Sequence, residues 1–252
     1  MNRQLLVETA ALAGEIMLKS GAETFRVEDT MAHILQKGNA LRVSPVAFTT
    51  AIQVTLEEKD KEPLTIVRRV KTGNTNLSRI VQVNDISRRY CSDEISLEEA
   101  SELLKQVDGK EYNKILYNLA TVGASAGFAL FFGGSWPDFV MAACSGFVLA
   151  LCITAGRSLK LNSFIQNCLS CAIMAFFCVA ADNLAFPAMN MDLVIISTIM
   201  PLVPGVAITN AIRDTLQGDY LSGGARVMEA FVKAVSIAVG VGIGLALFRF
   251  IR

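Results

Sequence analysis

Few side chains in the apolar half of this 252-residue sequence are suited to chemistry, and most of them lie in one short stretch. Pro201-Leu-Val-Pro204-Gly205 interrupts an uncharged segment, and Asn210, Arg213, Asp214, Gly218 and Asp219 follow it. Proline removes a backbone donor and clashes with the preceding turn, so two prolines and a glycine in five residues predict a kinked or interrupted helix. Irregular backbone at membrane depth is tolerated where it is buried in protein or lines a cavity. Interrupted helices often carry transporter substrate sites, because their freed backbone groups can bind ligand or ion. A simple proline kink would use the same residues. Asp214 and Asp219 are the acids between Asp192 and Glu229. An acid beside a transport path can take a proton or a substrate amine. The competing reading is a solvated loop with an Arg213–Asp214 pair. Asn118, Thr121 and Ser125 share one face of an earlier apolar segment, and Ser163 and Asn167 head a later one. They are suited either to lining a path or to hydrogen-bonding helix to helix.

Other chemistries find no support. His33, the single histidine, sits on a polar helix with no cysteine cluster around it. Cys168 and Cys171 form a C-x-x-C, but with no second pair and no nearby histidine they read as small apolar residues of a helix. There is no phosphate-binding loop, zinc pattern or nucleophile elbow. No catalytic residues, metal ligands or cofactor are expected, so the chain does not read as an enzyme. With 23 basic and 23 acidic side chains it carries no net charge, which argues against a nucleic-acid partner.

The elements that must position these residues follow from how charge is distributed. Residues 1–114 hold 16 of the 23 Lys and Arg and 17 of the 23 Asp and Glu. The rest is too apolar for a soluble domain, and mean hydropathy over the whole chain is +0.45. About 20 apolar residues span a bilayer core. The expected spans cover 115–133, 138–156, 164–181, 192–210 and 228–248. The expected architecture is a small α+β cytosolic domain over 1–112, then an α-helical bundle of about five transmembrane helices over 113–252. The Lys- and Arg-rich N-terminal part predicts a cytosolic N-terminus. The loops bearing Arg157 and Lys160, and Arg213 and Arg226, alternate with loops lacking either residue. Arg249 and Arg252 would then lie outside, against the trend. No cleavable leader is expected, because the N-terminus is a charged amphipathic stretch. Gly123 with Gly127, and Gly240 with Gly244, form G-x-x-x-G pairs suited to close helix packing, within the chain or between copies in a homo-oligomer.

In the polar half, Leu5, Leu12 and Ile16, flanked by Leu6, Ala13 and Met17, have helical spacing and stop at Gly21. Val27, Met31, Ile34 and Leu35 predict a second helix over 23–37. Period-two alternation through Val46, Phe48, Ile52, Val54 and Leu56 predicts one half-buried strand. The charged run Glu57 to Glu62 is a hairpin tip, and Leu64 to Val70 returns as a second strand. A third helix covers Leu77, Ile80, Val81 and Asn84, and Ser96 with Glu99 opens a fourth.

Two stretches resemble the threonine/serine exporter family. One is Ser20-Gly21-Ala22-Glu23-Thr24-Phe25-Arg26-Val27-Glu28. The other is Pro201-Leu-Val-Pro204-Gly205, followed by Asn210 to Asp214, Gly218-Asp219-Tyr220 and Ser222-Gly223-Gly224-Ala225-Arg226. The likeness covers nearly the whole chain, which is similar to the first of two unlike halves in longer members. The resemblance implies a secondary exporter in the cytoplasmic membrane, coupled to the proton gradient and completed by a second small membrane subunit. It implies threonine and serine as small-molecule substrates, or dicarboxylates as in some split relatives. Gly21, Glu23, Thr24, Arg26 and Glu28 would be family residues of the cytosolic domain. A membrane-anchored regulatory or scaffold subunit is the alternative.

Overall fold

The computed structural model describes residues 2–251 except 39, 72, 74, 108–112 and 185–188, and the side chains of 184, 249 and 251 are also outside the description. The chain divides into two compact units: Met1–Lys110 with Val206–Met228, and Glu111–Gly205 with Glu229–Arg252. The sequence puts the boundary at 112, with 113–252 as the transmembrane domain and the stretch between its last two spans as a loop. Residues 206–228 instead belong with the N-terminal segment, because their polar face bonds to it, as described below.

In the first unit, helix α1 (Arg3–Lys19) starts where the Asn2 side chain accepts from the Leu5 amide. It packs against helices α2 (Thr24–Gln36), α3 (Leu77–Cys91) and α4 (Leu97–Lys105) and against a three-stranded antiparallel sheet. Being covered on several sides, α1 buries Leu6, Ala10, Ala13 and Met17 completely, while the expected central stripe of Leu5, Leu12 and Ile16 is only partly buried. On α2, Val27, Met31, Ile34 and Leu35 are all in the core. A Cβ on Gly14 would overlap the Met31 thioether, so glycine lets α1 and α2 approach.

The strand expected over Val46 to Leu56 is two strands. Strand β1 (Ala40–Phe48) turns at Thr49–Thr50 into β2 (Ala51–Glu58), and β3 (Leu64–Arg69) pairs with the other edge of β2. Neither turn residue has positive φ, so the pair lacks the Asn-Gly chemistry that announces a tight hairpin. The turn also changes which residues face inward. Ala47 pairs with Ile52 and Val43 with Leu56. Ile52, Val54, Leu56 and Ala47 are therefore buried, while Val46 and Phe48 lie on the open face. Pro45 is tolerated because β1 is an edge strand. Helix α3 runs on to Cys91, well past Asn84, and α4 begins where the Ser96 hydroxyl accepts from the Glu99 amide.

The second unit holds helices α5 (Lys114–Phe131), α6 (Trp136–Ser158), α7 (Ser163–Leu184) and α8 (Met191–Ile199), a 3-10 turn (Met200–Leu202), and the C-terminal part of α10 (Tyr220–Ile251). Helix α9 (Gly205–Leu216) follows the turn. Helices α5, α6, α7 and α10 are long and apolar enough to cross a membrane; α8 and α9 add a fifth crossing if counted as one broken span. Small residues set the contacts. A Cβ on Gly146 would crowd Ser125, and Cβ atoms on Gly240 and Gly244 would overlap the carbonyls of Cys168 and Ala172 on α7. Gly123 and Gly127 meet nothing within 4 Å. Asp138 accepts from the Ser135 amide (2.8 Å) and the Asn190 amide (2.6 Å), tying the start of α6 to the cap of α8.

Candidate functional site

The link between α1 and α2 presents its backbone in a form a partner can bind. α1 ends at Ser20, and Gly21 adopts φ +80°, a left-handed conformation that glycine takes without penalty. Ala22 and the extended Glu23 then lead into the first turn of α2. The first turn of a helix has free amides and a partial positive charge. Within this unit, α9 brings an acid to that place. The Asp214 carboxylate accepts from the Thr24 amide and the Thr24 hydroxyl, each at 3.2 Å.

Four successive residues of the link are held in this way. Asn210 donates to the Gly21 carbonyl at 2.9 Å. Arg226 donates through Nη2 to the Ala22 carbonyl at 2.6 Å. Glu23 pairs with Arg213, and Thr24 with Asp214. Asn210 and Asp214 are four residues apart and so share a helix face, and both are buried, Asp214 with 1% of its surface exposed. The expected loop carrying Arg213 and Arg226 is thus helical on both sides of a short turn: Arg213 lies on α9 and Arg226 on α10. Low hydropathy there reflects a helix face committed to polar contacts.

The turn between α9 and α10 is tight. Gly218 has φ +89°, the Asp219 amide donates to the Asp214 carbonyl, and Asp219 caps α10 by accepting from the Ser222 amide at 3.1 Å. Gly223 permits the close approach, since a Cβ there would overlap Thr215. Arg226, 9% exposed, reaches Asp214 from α10 with Nε 2.9 Å from Oδ2. That Nε has the distance of an ion pair without the alignment of a hydrogen bond. The hydroxyls of Ser20 and Ser222 are also buried without a partner among the described residues.

Glu28 lies one turn beyond Thr24 and accepts from the Ala47 amide at 2.8 Å, joining α2 to β1. Burial raises its carboxyl above the ordinary range; the Ala47 bond opposes this, and the charges of Asp219 and Asp214 add to it. Arg26 is exposed and pairs with Glu23 at 3.3 Å.

The expected residues therefore fall into groups. Gly21 meets Asn210, Thr24 meets Asp214 and Glu23 meets Arg213, with Asp219 and Glu28 alongside. Pro201, Pro204 and Gly205 form the break ahead of α9, where Val203 leaves helical geometry at ψ 128°. Asn118 and Thr121 bond inside the helix pair α5–α6: Asn118 accepts from the Thr154 hydroxyl at 3.0 Å, and Thr121 donates to the Tyr117 carbonyl. Arg226 and Ser222 were not among the expected site residues. The available signal was Arg226 itself, a cation at the border of an apolar helix. Among the described residues, no group of three or more His, Cys, Asp or Glu is arranged to hold a metal ion.

A family model described as "Putative threonine/serine exporter" matches residues 8–248. A protein of Mycobacterium tuberculosis named "Probable threonine/serine exporter" is 27% identical over 241 residues, covering 94% of this chain and 45% of its own length. An uncharacterized protein of Schizosaccharomyces pombe is 26% identical over 189 residues, covering 70% of this chain and 22% of its own length. The chain thus spans less than half the length of these relatives. No solved structure matches it.

Proposed function

The chain belongs to the threonine/serine exporter family, and we propose that it is a subunit of a secondary exporter that moves L-threonine and L-serine out of the cell on the proton gradient. Together with the apolar helices, that membership makes it a multi-pass membrane protein. The proposed setting is the cytoplasmic membrane, with the N-terminal unit in the cytosol. A second small membrane subunit, resembling the other half of longer members, completes the exporter.

One observation carries the reading of the site. The family-like segment Gly21–Thr24 and the residues that follow the Pro201–Gly205 break converge on a buried carboxylate, Asp214. A buried acid held by an arginine and a helix start responds to a proton, because protonation removes the charge its partners are arranged to meet. In the proposed mechanism Pro201, Pro204 and Gly205 supply the break in the path. Asn210, Asp214 and Asp219 supply polar groups from the first unit, and Asn118 and Thr121 supply them from α5 in the second. Asp214 takes the coupling proton or the substrate amine.

The test is efflux of preloaded threonine, serine and succinate from cells expressing this chain, with and without its partner subunit. Efflux of threonine and serine that needs both proteins and collapses with the proton gradient is the expected result. No efflux of any of the three, with both proteins in the membrane, would overturn the reading.

A further inference from the structure

We propose that Arg226 and Ser222 of α10, with Asp214 of α9, form the recognition site for a small hydroxylated zwitterion. Asp214 would take the ammonium, Arg226 the carboxylate and Ser222 the hydroxyl. The class of ligand rests on the exporter reading; the assignment of residues rests on three features of the first unit.

The first is an ion pair withdrawn from solvent. The Asp214 side chain is 0% exposed and that of Arg226 10%. Removing two charges from water costs several kcal/mol per ion unless the geometry is excellent and the remaining valences are filled. Here the geometry is incomplete. Arg226 places Nη2 on the Ala22 carbonyl, but its Nε faces Asp214 without hydrogen-bond alignment.

The second is a pair of orphan hydroxyls. Ser222 is 0% and Ser20 1% exposed, and neither Oγ has a partner among the described residues. Native proteins pair the large majority of buried polar atoms. Ser222 and Arg226 are four residues apart on α10 and so share one face. Ser20 is two residues before Ala22, which Arg226 binds. Three of the five such atoms among the described residues, on Ser20, Ser222 and Arg226, thus belong to this ion pair and its neighbours.

The third is complementarity. An α-amino acid carries an ammonium and a carboxylate on one carbon, the mirror of a paired acid and guanidinium. Exchanging the internal pair for two ligand pairs leaves no buried charge uncompensated, and a guanidinium fork suits a carboxylate. The hydroxyl of serine or threonine would fill the valence of Ser222. A site built to bond a hydroxyl rejects the analogue lacking it, because its own polar group is then left unpaired.

The test uses the purified full chain in lipid nanodiscs and titrates four ligands: L-threonine, L-2-aminobutyrate without the hydroxyl, L-threoninol without the carboxylate, and N-acetyl-L-threonine without the ammonium. The wild type should bind threonine about tenfold more tightly than 2-aminobutyrate, the worth of one good hydrogen bond. Threoninol and N-acetylthreonine should bind more weakly still. Ser222→Ala should raise the Kd for threonine to that for 2-aminobutyrate while melting no lower than the wild type, since it deletes an orphan hydroxyl. Arg226→Lys should weaken threonine and leave threoninol unchanged. If Ser222→Ala keeps the wild-type preference for threonine and melts lower, the hydroxyl holds a structural water and the proposal falls. Equal binding of threoninol and threonine by the wild type would also overturn it. Cells that export threonine while the purified chain binds none, or binds it independently of Ser222 and Arg226, remove this site and leave the exporter reading standing. Absence of export removes the exporter reading itself.

Discussion

Replacing Asp214 by asparagine isolates what its charge contributes. The side chains have the same shape, and an amide oxygen can still accept from the Thr24 amide. The amide NH2 now faces Arg226, which can only donate, while the Thr24 hydroxyl can turn to accept from it. The guanidinium is left in a nearly closed environment with only the Ala22 carbonyl as an oxygen partner. Removing one partner of a buried ion pair costs about 3–5 kcal/mol. The small exposed part of Arg226 lets water share the charge, so the lower end, ~3 kcal/mol, applies. For a chain of this size each kcal/mol moves Tm by about 2–4 °C, so the loss should be roughly 6–12 °C. Thermal unfolding of the purified chain measures it, with protease cleavage between Glu23 and Glu28 as a local readout. The double variant Asp214→Asn with Arg226→Met removes both charges and should recover most of the loss, since an apolar replacement of a buried pair is often neutral. A shift below about 1 °C, or a double variant as unstable as the single one, would refute the argument from desolvation.

In transport, Asp214→Asn and Asp219→Asn should each reduce threonine efflux about tenfold or more, equivalent to ~1.4 kcal/mol of barrier; intact efflux in both variants would take these acids out of the path. Thr24→Val keeps the backbone bond to Asp214 but loses the hydroxyl bond, so unfolding should show a cost of ~2 kcal/mol, with Thr24→Ser close to wild type. Glu28→Gln should abolish part of the acid-side pH dependence of stability. Its folded carboxyl titrates above the ordinary 4.5, so the folded state holds the proton longer, and wild-type stability falls as pH rises through that window. The variant should match the wild type below about pH 4.5 and exceed it by a constant amount above the window, as read from melts across pH. Gly244→Ala should destabilise the α7–α10 contact by about 1–3 kcal/mol through overlap with the Ala172 carbonyl, whereas Gly123→Ala, which meets nothing, should leave the melting temperature unchanged or raised.

Long periodic elements were legible in the sequence because their pattern is carried by many residues at once. The α2 face of Val27, Met31, Ile34 and Leu35 and the long apolar stretches of α5, α6 and α7 are of this kind. The break at Pro201–Pro204 was legible because proline acts locally on its own backbone. Two features were not. Thr49–Thr50 reverses the chain without glycine or asparagine, so an alternation that straddles the turn looked like one strand. The assignment of 206–228 depends on partners about 190 residues away in sequence, such as Thr24 for Asp214. Hydropathy along the chain reports how polar α9 is, not what its polar face meets. The site residues were visible as two clusters; that they form one site is a tertiary fact.

The contacts also explain what kind of constraint the Gly21–Thr24 segment is under. Gly21 and Ala22 offer carbonyls to Asn210 and Arg226, so their side chains take no part in those bonds. What restricts them is geometry: Gly21 sits at φ +80° with Thr75 against the place a Cβ would take, and Ala22 is buried with 3% exposure. Glu23 and Thr24 act through their side chains, and Thr24 through its amide as well. Two of the four positions are thus fixed by backbone shape and two by chemistry, yet all four serve one arrangement. The helix start of α2 is the anchor. Its free amide and partial positive charge favour a carboxylate, and Asp214 answers that from α9 and brings Arg226 with it from α10. A change in the charge of Asp214 therefore acts on three helices at once, which is the coupling that the proposed proton-driven export would need.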